Sequence, residues 1–69
     1  MGDPRLGSHL KPIRTAAGLT QAELAERAGV SRKTINTVEN GVFIPSTLLA
    51  LELARALGVT VEELFFLKD

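Results

Sequence analysis

The chain has 69 residues and no cysteine, and its eight basic residues balance eight acidic ones for zero formal net charge. Its length points to one domain, residues 1–69, with a thin core, because a chain this small buries only about 60% of its extended surface on folding; hydrophobic residues at 45% exclude a disordered tail. Disulfides and thiolate metal sites are excluded, no apolar run approaches the ~20 residues of a membrane helix, and the opening MGDPRLGSHL lacks the apolar stretch of a secretory leader, so a soluble cytoplasmic protein is expected.

The first predicted helix runs over roughly residues 5–17. Asp3-Pro4 can start it, since proline suits the first helical position. Pro12 lacks a backbone donor, so a kink or a late start is expected there. Leu6, Leu10, Ile13 and Ala17 make its apolar face, and Gly18 closes it. The second helix, 20–28, opens with a capping box: Thr20 caps the Glu23 amide and Glu23 reaches back to the Thr20 amide. Leu19 and Leu24 flank the box as a hydrophobic staple, Leu24, Ala25 and Ala28 face inward, and Gly29 ends the helix.

The third helix, 31–39, has a Ser31 cap and a Val30–Ile35 staple, but Arg32 and Lys33 stand in its first turn and no acid follows. Ile35 and Val38 face inward, and Gly41 lies beyond the last turn. Phe43 is expected in the core, within an apolar edge Val42–Ile44. Pro45 and the Ser46 cap open the fourth helix, 46–57, with Ala50, Leu53, Ala54 and Leu57 inward and Leu48 on the opposite side with Glu52 and Arg55. After Gly58, Thr60 and Glu63 repeat the capping box and Val59 and Leu64 the staple, opening a fifth helix, 61–66, with Val61, Leu64 and Phe65 inward. Phe66 and Leu67 are a further apolar excess. No strand-period alternation and no long repeat is present, so the expected fold is all-α with five helices.

The cations of the third helix point to function. Aligned peptide dipoles put partial positive charge at a helix N-terminus, and a basic residue there costs a few tenths of a kcal/mol, up to about 1. Only Gly29 and Val30 separate the second helix from the Ser31 cap, a link typical of a helix-turn-helix. In that arrangement the first residues of the following helix enter the major groove of DNA. Arg32 and Lys33 are then mispaired with their own helix but well paired with a polyanion, either at the two acceptors of guanine or at phosphate. Charge is distributed to match: residues 1–19 carry net +2 and residues 41–69 net −2. His9, the only histidine, lacks companions for metal or catalytic chemistry, and Ser31 has no histidine to activate it, so no enzyme, metal or cofactor is expected.

TQAELAERAGVSRKTINTVENG followed by PSTLLALELARALGVTVEELF resembles the Cro/CI-type (lambda-repressor-like, Xre) helix-turn-helix family over about residues 6–66. The resemblance implies a compact five-helix DNA-binding domain and a regulator, a repressor, that binds double-stranded operator DNA as a homodimer. It also implies site roles. Arg32, Lys33 and Thr37 match base-reading positions, with Asn36 a neighbour in reach of a base or sugar. Gln21 matches a phosphate contact at the start of the second helix, and Thr34 and Asn40 match further backbone contacts; Ser31 is grouped with them. Arg14 and Glu39 match a partly buried ion pair. The family commonly has Lys or Arg after ENG, and here Val42 stands there, which removes one phosphate contact. Leu48, Phe66 and Leu67 are candidates for a dimer interface. No membrane and no small-molecule ligand is implied. The rival is a protein-interaction module of the same fold, antitoxin-like or a bridging factor, favoured by zero net charge, Val42, Leu48 and the apolar tail.

Overall fold

The computed structural model describes residues 3–68. In chain order it contains β1 (Leu6–Ser8), α1 (Leu10–Ala16), α2 (Gln21–Ala28), α3 (Arg32–Glu39), α4 (Thr47–Leu57), α5 (Val61–Leu64) and β2 (Phe65–Leu67). Three of the connections are one joint used three times: Gly18-Leu19-Thr20, Gly29-Val30-Ser31 and Gly58-Val59-Thr60. In the α2–α3 joint, Gly29 takes a left-handed conformation (φ 73°) that a side chain would strain. The Val30 amide then reaches back to the Ala25 carbonyl at 3.0 Å. Val30 packs partly buried against the core, and Ser31 caps α3 by accepting from the Thr34 amide at 3.2 Å. One apolar residue thus closes one helix and staples the next.

Both capping boxes form. Thr20 Oγ1 accepts from the Glu23 amide at 3.0 Å while Glu23 Oε1 accepts from the Thr20 amide at 2.8 Å. Thr60 and Glu63 do the same at 3.2 and 2.9 Å. Ser46 caps α4 through the Leu49 amide at 3.1 Å. Each such cap stabilises its helix by about 1 kcal/mol, which matters for helices too short to persist alone.

Leu10, Leu24, Ile35, Leu53 and Leu64 are fully buried, one from each helix, with Val38, Ala25 and Ala54 around them. Each large side chain contributes about 1.5–3 kcal/mol by leaving water. Leu49, absent from the predicted α4 face, is also buried. No described helix is long and apolar enough to cross a membrane.

Four readings change in detail. Of the kink and the late start expected at Pro12, the late start is found, and it shortens the helix expected over 5–17: α1 begins at Leu10, and Ser8 Oγ accepts from the Leu10 amide at 3.1 Å. Pro12 becomes its third residue, where the missing N–H would have had no helical partner. Residues 6–8 form a strand instead, and α5 stops at Leu64 because residues 65–67 pair with that strand, antiparallel, with Leu6 opposite Leu67, Gly7 opposite Phe66 and Ser8 opposite Phe65. Ala17 is exposed because it lies past the end of α1. Phe43 is 43% exposed rather than core. The amides of Val42 and Phe43 both bond to the Thr37 carbonyl, at 2.9 and 3.3 Å, which winds the chain back over the end of α3 and leaves the ring at the surface.

The small sheet has two unlike faces. Phe66 lies over Gly7, where an added Cβ would come within 2.2 Å of the ring, and its centroid is 4.4 Å from that of His9. On the other face, strand alternation groups Leu6, Phe65 and Leu67.

Candidate nucleic-acid interface

Beneath the helix-turn-helix, one carboxylate ties three helices together. Glu39, at the end of α3, has a side chain only 2% exposed. Its Oε2 accepts from Arg14 Nε of α1 at 2.5 Å and its Oε1 from Arg14 Nη2 at 3.4 Å. Gln21 Nε2, from the first residue of α2, donates to Oε1 at 3.0 Å. Arg14 Nη1 also donates to the Leu19 carbonyl at 2.8 Å, the apolar residue of the α1–α2 joint. A buried carboxylate needs a partner cation and filled lone pairs to stay charged, and this one has both. The charge of Arg14 is therefore spent inside the domain and adds nothing to the outer surface. The contribution of Gln21 to this network is not legible in the sequence, because nothing in spacing alone says that positions 21 and 39 meet.

Helix α3 buries Ile35 and Val38 and turns Arg32, Lys33, Asn36 and Asn40 outward, with Thr34 and Thr37 half-buried at the margins. Arg32, Asn36 and Asn40 recur every four residues and so share one stripe. Asn40 Nδ2 donates to Asn36 Oδ1 at 3.2 Å, which fixes the two amides relative to each other. Thr37 Oγ1 donates to the Thr34 carbonyl at 3.0 Å, so its proton is used and its outward chemistry is lone pairs and a methyl group. Ser31 Oγ and Thr34 Oγ1 stand 2.9 Å apart, and one donates to the other. Only one hydroxyl proton of that pair is left to offer an outside acceptor.

Arg32 and Lys33 form no ion pair with any described residue, whereas Arg5, Arg14 and Arg55 are each paired, with Asp3, Glu39 and Glu52. The first turn of α3 contains no acid, unlike those of α2 and α5. Two cations therefore stand exposed at the positive end of a helix, a local penalty with no internal compensation. At the start of α2, Glu23 is spent in its capping box, and the bond from the Thr20 amide holds its carboxyl below the usual range. Gln21 keeps one amide proton beyond the bond to Glu39.

The remaining candidates fall elsewhere. Leu48 is 71% exposed on the outer side of α4 and Leu67 is 76% exposed at the end of β2. Phe66, 39% exposed, covers Gly7 and His9 within its own chain. Val42 and Ile44 are exposed on the α3–α4 connection. Leu51, which the helical pattern does not single out, is 55% exposed on α4.

Residues 10–64 match the model of the helix-turn-helix family. A protein of Methanothermobacter thermautotrophicus, described as an uncharacterized HTH-type transcriptional regulator, is 51% identical over 61 residues, covering 87% of this chain and 88% of the relative. Among solved structures, the restriction-modification controller protein C.AhdI of Aeromonas hydrophila is 39% identical with a TM-score of 0.75, over 78% of this chain and 82% of that one. The clp gene regulator ClgR of Corynebacterium glutamicum is 33% identical with a TM-score of 0.75, over 78% of this chain and 57% of that one.

Proposed function

Because the chain belongs to the helix-turn-helix family of Xre and Cro/CI type, whose members are DNA-binding transcriptional regulators, we propose that it is a sequence-specific repressor that inserts α3 into the major groove of operator DNA as a homodimer. The unpaired, exposed cations Arg32 and Lys33 at the start of α3 carry the proposal. A duplex supplies the negative charge their own helix denies them. Arg32 and Lys33 donate to guanine N7 and O6 or to phosphate. Asn36 presents an amide to a base edge. Thr37, with its proton used, accepts from an exocyclic amine or packs its methyl on thymine.

Phosphates are held on either side of the groove by Gln21 and by the group Ser31, Thr34 and Asn40. Gln21 sits at the positive end of α2 with its carboxamide oriented by Glu39, so the buried ion pair sets the position of a surface contact. The network fixes α1, α2 and α3 as one rigid unit, which keeps the two phosphate-contacting sides at a constant distance. Zero net charge and Val42 in place of a cation make the affinity of one subunit modest. Two subunits on half-sites about 34 Å apart recover it.

Fluorescence anisotropy with a mixed duplex pool across a salt series tests the proposal. Binding is expected at low ionic strength, falling log-linearly with salt by about 0.9 per neutralised phosphate. Selection from random duplexes is expected to return a site with twofold symmetry. No salt-dependent binding at low ionic strength overturns the proposal and leaves an antitoxin-like or bridging interaction module.

A further inference from the structure

We propose that Asn40 sets the base preference of Asn36, so that the outer stripe of α3 selects a keto base, guanine or thymine, over adenine and cytosine; this rests on the regulator function proposed above and names the class of base it reads. Asn36 is exposed on α3, one turn after Arg32 and one turn before Asn40. Asn40 is tied to it twice. Its backbone amide donates to the Asn36 carbonyl at 3.1 Å, and its Nδ2 donates to Asn36 Oδ1 at 3.2 Å.

The side-chain bond decides which end of the Asn36 carboxamide is left for DNA. A carboxamide carries its donors on nitrogen and its lone pairs on oxygen. With Oδ1 turned along the helix to Asn40, the Nδ2 hydrogens are the free end of the group. The helix itself favours this sense. The negative end of the α3 dipole attracts donors, and no basic residue stands in the last turn to satisfy it, so the Asn40 amine turns back toward that end. The other Nδ2 hydrogen of Asn40 remains for the phosphate contact proposed above.

An untethered asparagine grips adenine with one donor and one acceptor, at N7 and N6. That grip needs Nδ2 and Oδ1 side by side on one base edge, and here Oδ1 is held by Asn40. Arg32 and Lys33 beside it carry donors alone. Guanine presents two acceptors in the major groove, N7 and O6, and thymine presents O4. Adenine sets an amine beside its single acceptor and cytosine offers an amine alone, so each confronts the Asn36 amine with a second donor. The tether is in place before DNA arrives. Asn36 therefore loses little rotamer freedom on binding a keto base, whereas a base that demands the opposite orientation has first to break the bond.

The test is selection from random duplexes with the wild type, Asn36→Ala, Asn40→Ala and Asn40→Asp, each checked for folding by circular dichroism. Asn36→Ala locates the position, as the base preference it abolishes. There the wild type is expected to select guanine or thymine about tenfold over adenine or cytosine. Asn40→Ala frees Oδ1 and is expected to admit adenine at that position while leaving the rest of the site unchanged. Asn40→Asp has no donor, so it takes an Nδ2 hydrogen of Asn36, turns Oδ1 outward and is expected to swing the position to cytosine or adenine. Weaker binding with an unchanged base preference in both Asn40 variants is what a residue that only holds phosphate would give, and it overturns the proposal. So does a wild-type preference for adenine or cytosine at the Asn36 position, or a site in which no position depends on Asn36. A wild type that binds no duplex at low salt overturns the regulator function and this reading with it, whereas duplex binding that fails any of these comparisons overturns this reading alone.

Discussion

Replacing Arg14 with Met tests how much the fold depends on the buried Arg14–Glu39 ion pair. The substitution keeps the length of the apolar stem and deletes the guanidinium. Glu39 would then retain a single side-chain partner, Gln21 at 3.0 Å, in a site where its own side chain is 2% exposed. The Leu19 carbonyl would lose its 2.8 Å donor as well. Breaking a buried pair by removing one partner costs about 3–5 kcal/mol, mostly from the uncompensated charge left behind. A domain of this length has a total stability of roughly 3–10 kcal/mol at about 0.05–0.15 kcal/mol per residue. Arg14→Met is therefore expected to lose about a third or more of it and to lower Tm by about 12–40 °C, at about 4–8 °C per kcal/mol. Urea and thermal denaturation followed by circular dichroism measure both. The companion variant Arg14→Met/Glu39→Met removes the orphaned charge and is expected to recover most of the loss, since apolar replacement of a buried pair is often neutral. A single variant that costs under about 1 kcal/mol, or a double variant as unstable as the two singles added together, refutes the reasoning.

Three further outcomes follow from local geometry. Arg32→Ala is expected to weaken operator binding by about 1–3 kcal/mol in anisotropy titrations and to leave Tm unchanged or slightly raised, since it removes a cation from a helix N-terminus; lost stability with intact binding contradicts it. Thr20→Ala is expected to cost about 1 kcal/mol. Because the folded-state pKa of Glu23 lies below its ordinary 4.5, the carboxylate half of the capping box stabilises fully above that value and fades as pH falls through the folded value, so wild type and Glu23→Gln should converge in acid melts, while the deficit of Thr20→Ala persists. Gly7→Ala is expected to push the Phe66 ring off its seat, costing about 1 kcal/mol of aromatic packing and shifting the His9 ring resonances; unchanged resonances with unchanged stability rule this out.

The starts of α2 to α5 and the stops of α1 to α4 were legible because each is written within six residues. Thr20 with Glu23, Thr60 with Glu63, and the glycines 18, 29, 41 and 58 with positive φ are local hydrogen-bond and backbone devices, and local devices leave local patterns. The cations of α3 were legible for the opposite reason, as a broken local pattern with no internal explanation. The sheet was not legible. Its strands are three residues each, separated by all five helices, and Leu6, Phe65 and Phe66 fit helical spacing as well as any pattern. Phe43 misled because composition says aromatic residues belong inside, while two amides on one carbonyl decided where the chain went. The Gln21 contact to Glu39 depends on how α2 and α3 cross, which no single segment encodes.

The pairing of β1 with β2 has a consequence for the order of assembly. Every helix joint is built from neighbours in sequence, so the helices can condense while the two ends of the chain still diffuse freely. Drawing those ends together closes the largest loop in the molecule, and loop-closure entropy makes that step the least rewarded until the rest is in place. The clasp should therefore zip last and unzip first, with the amides of His9 and Lys68 exchanging with solvent deuterium well before those inside α2 and α4.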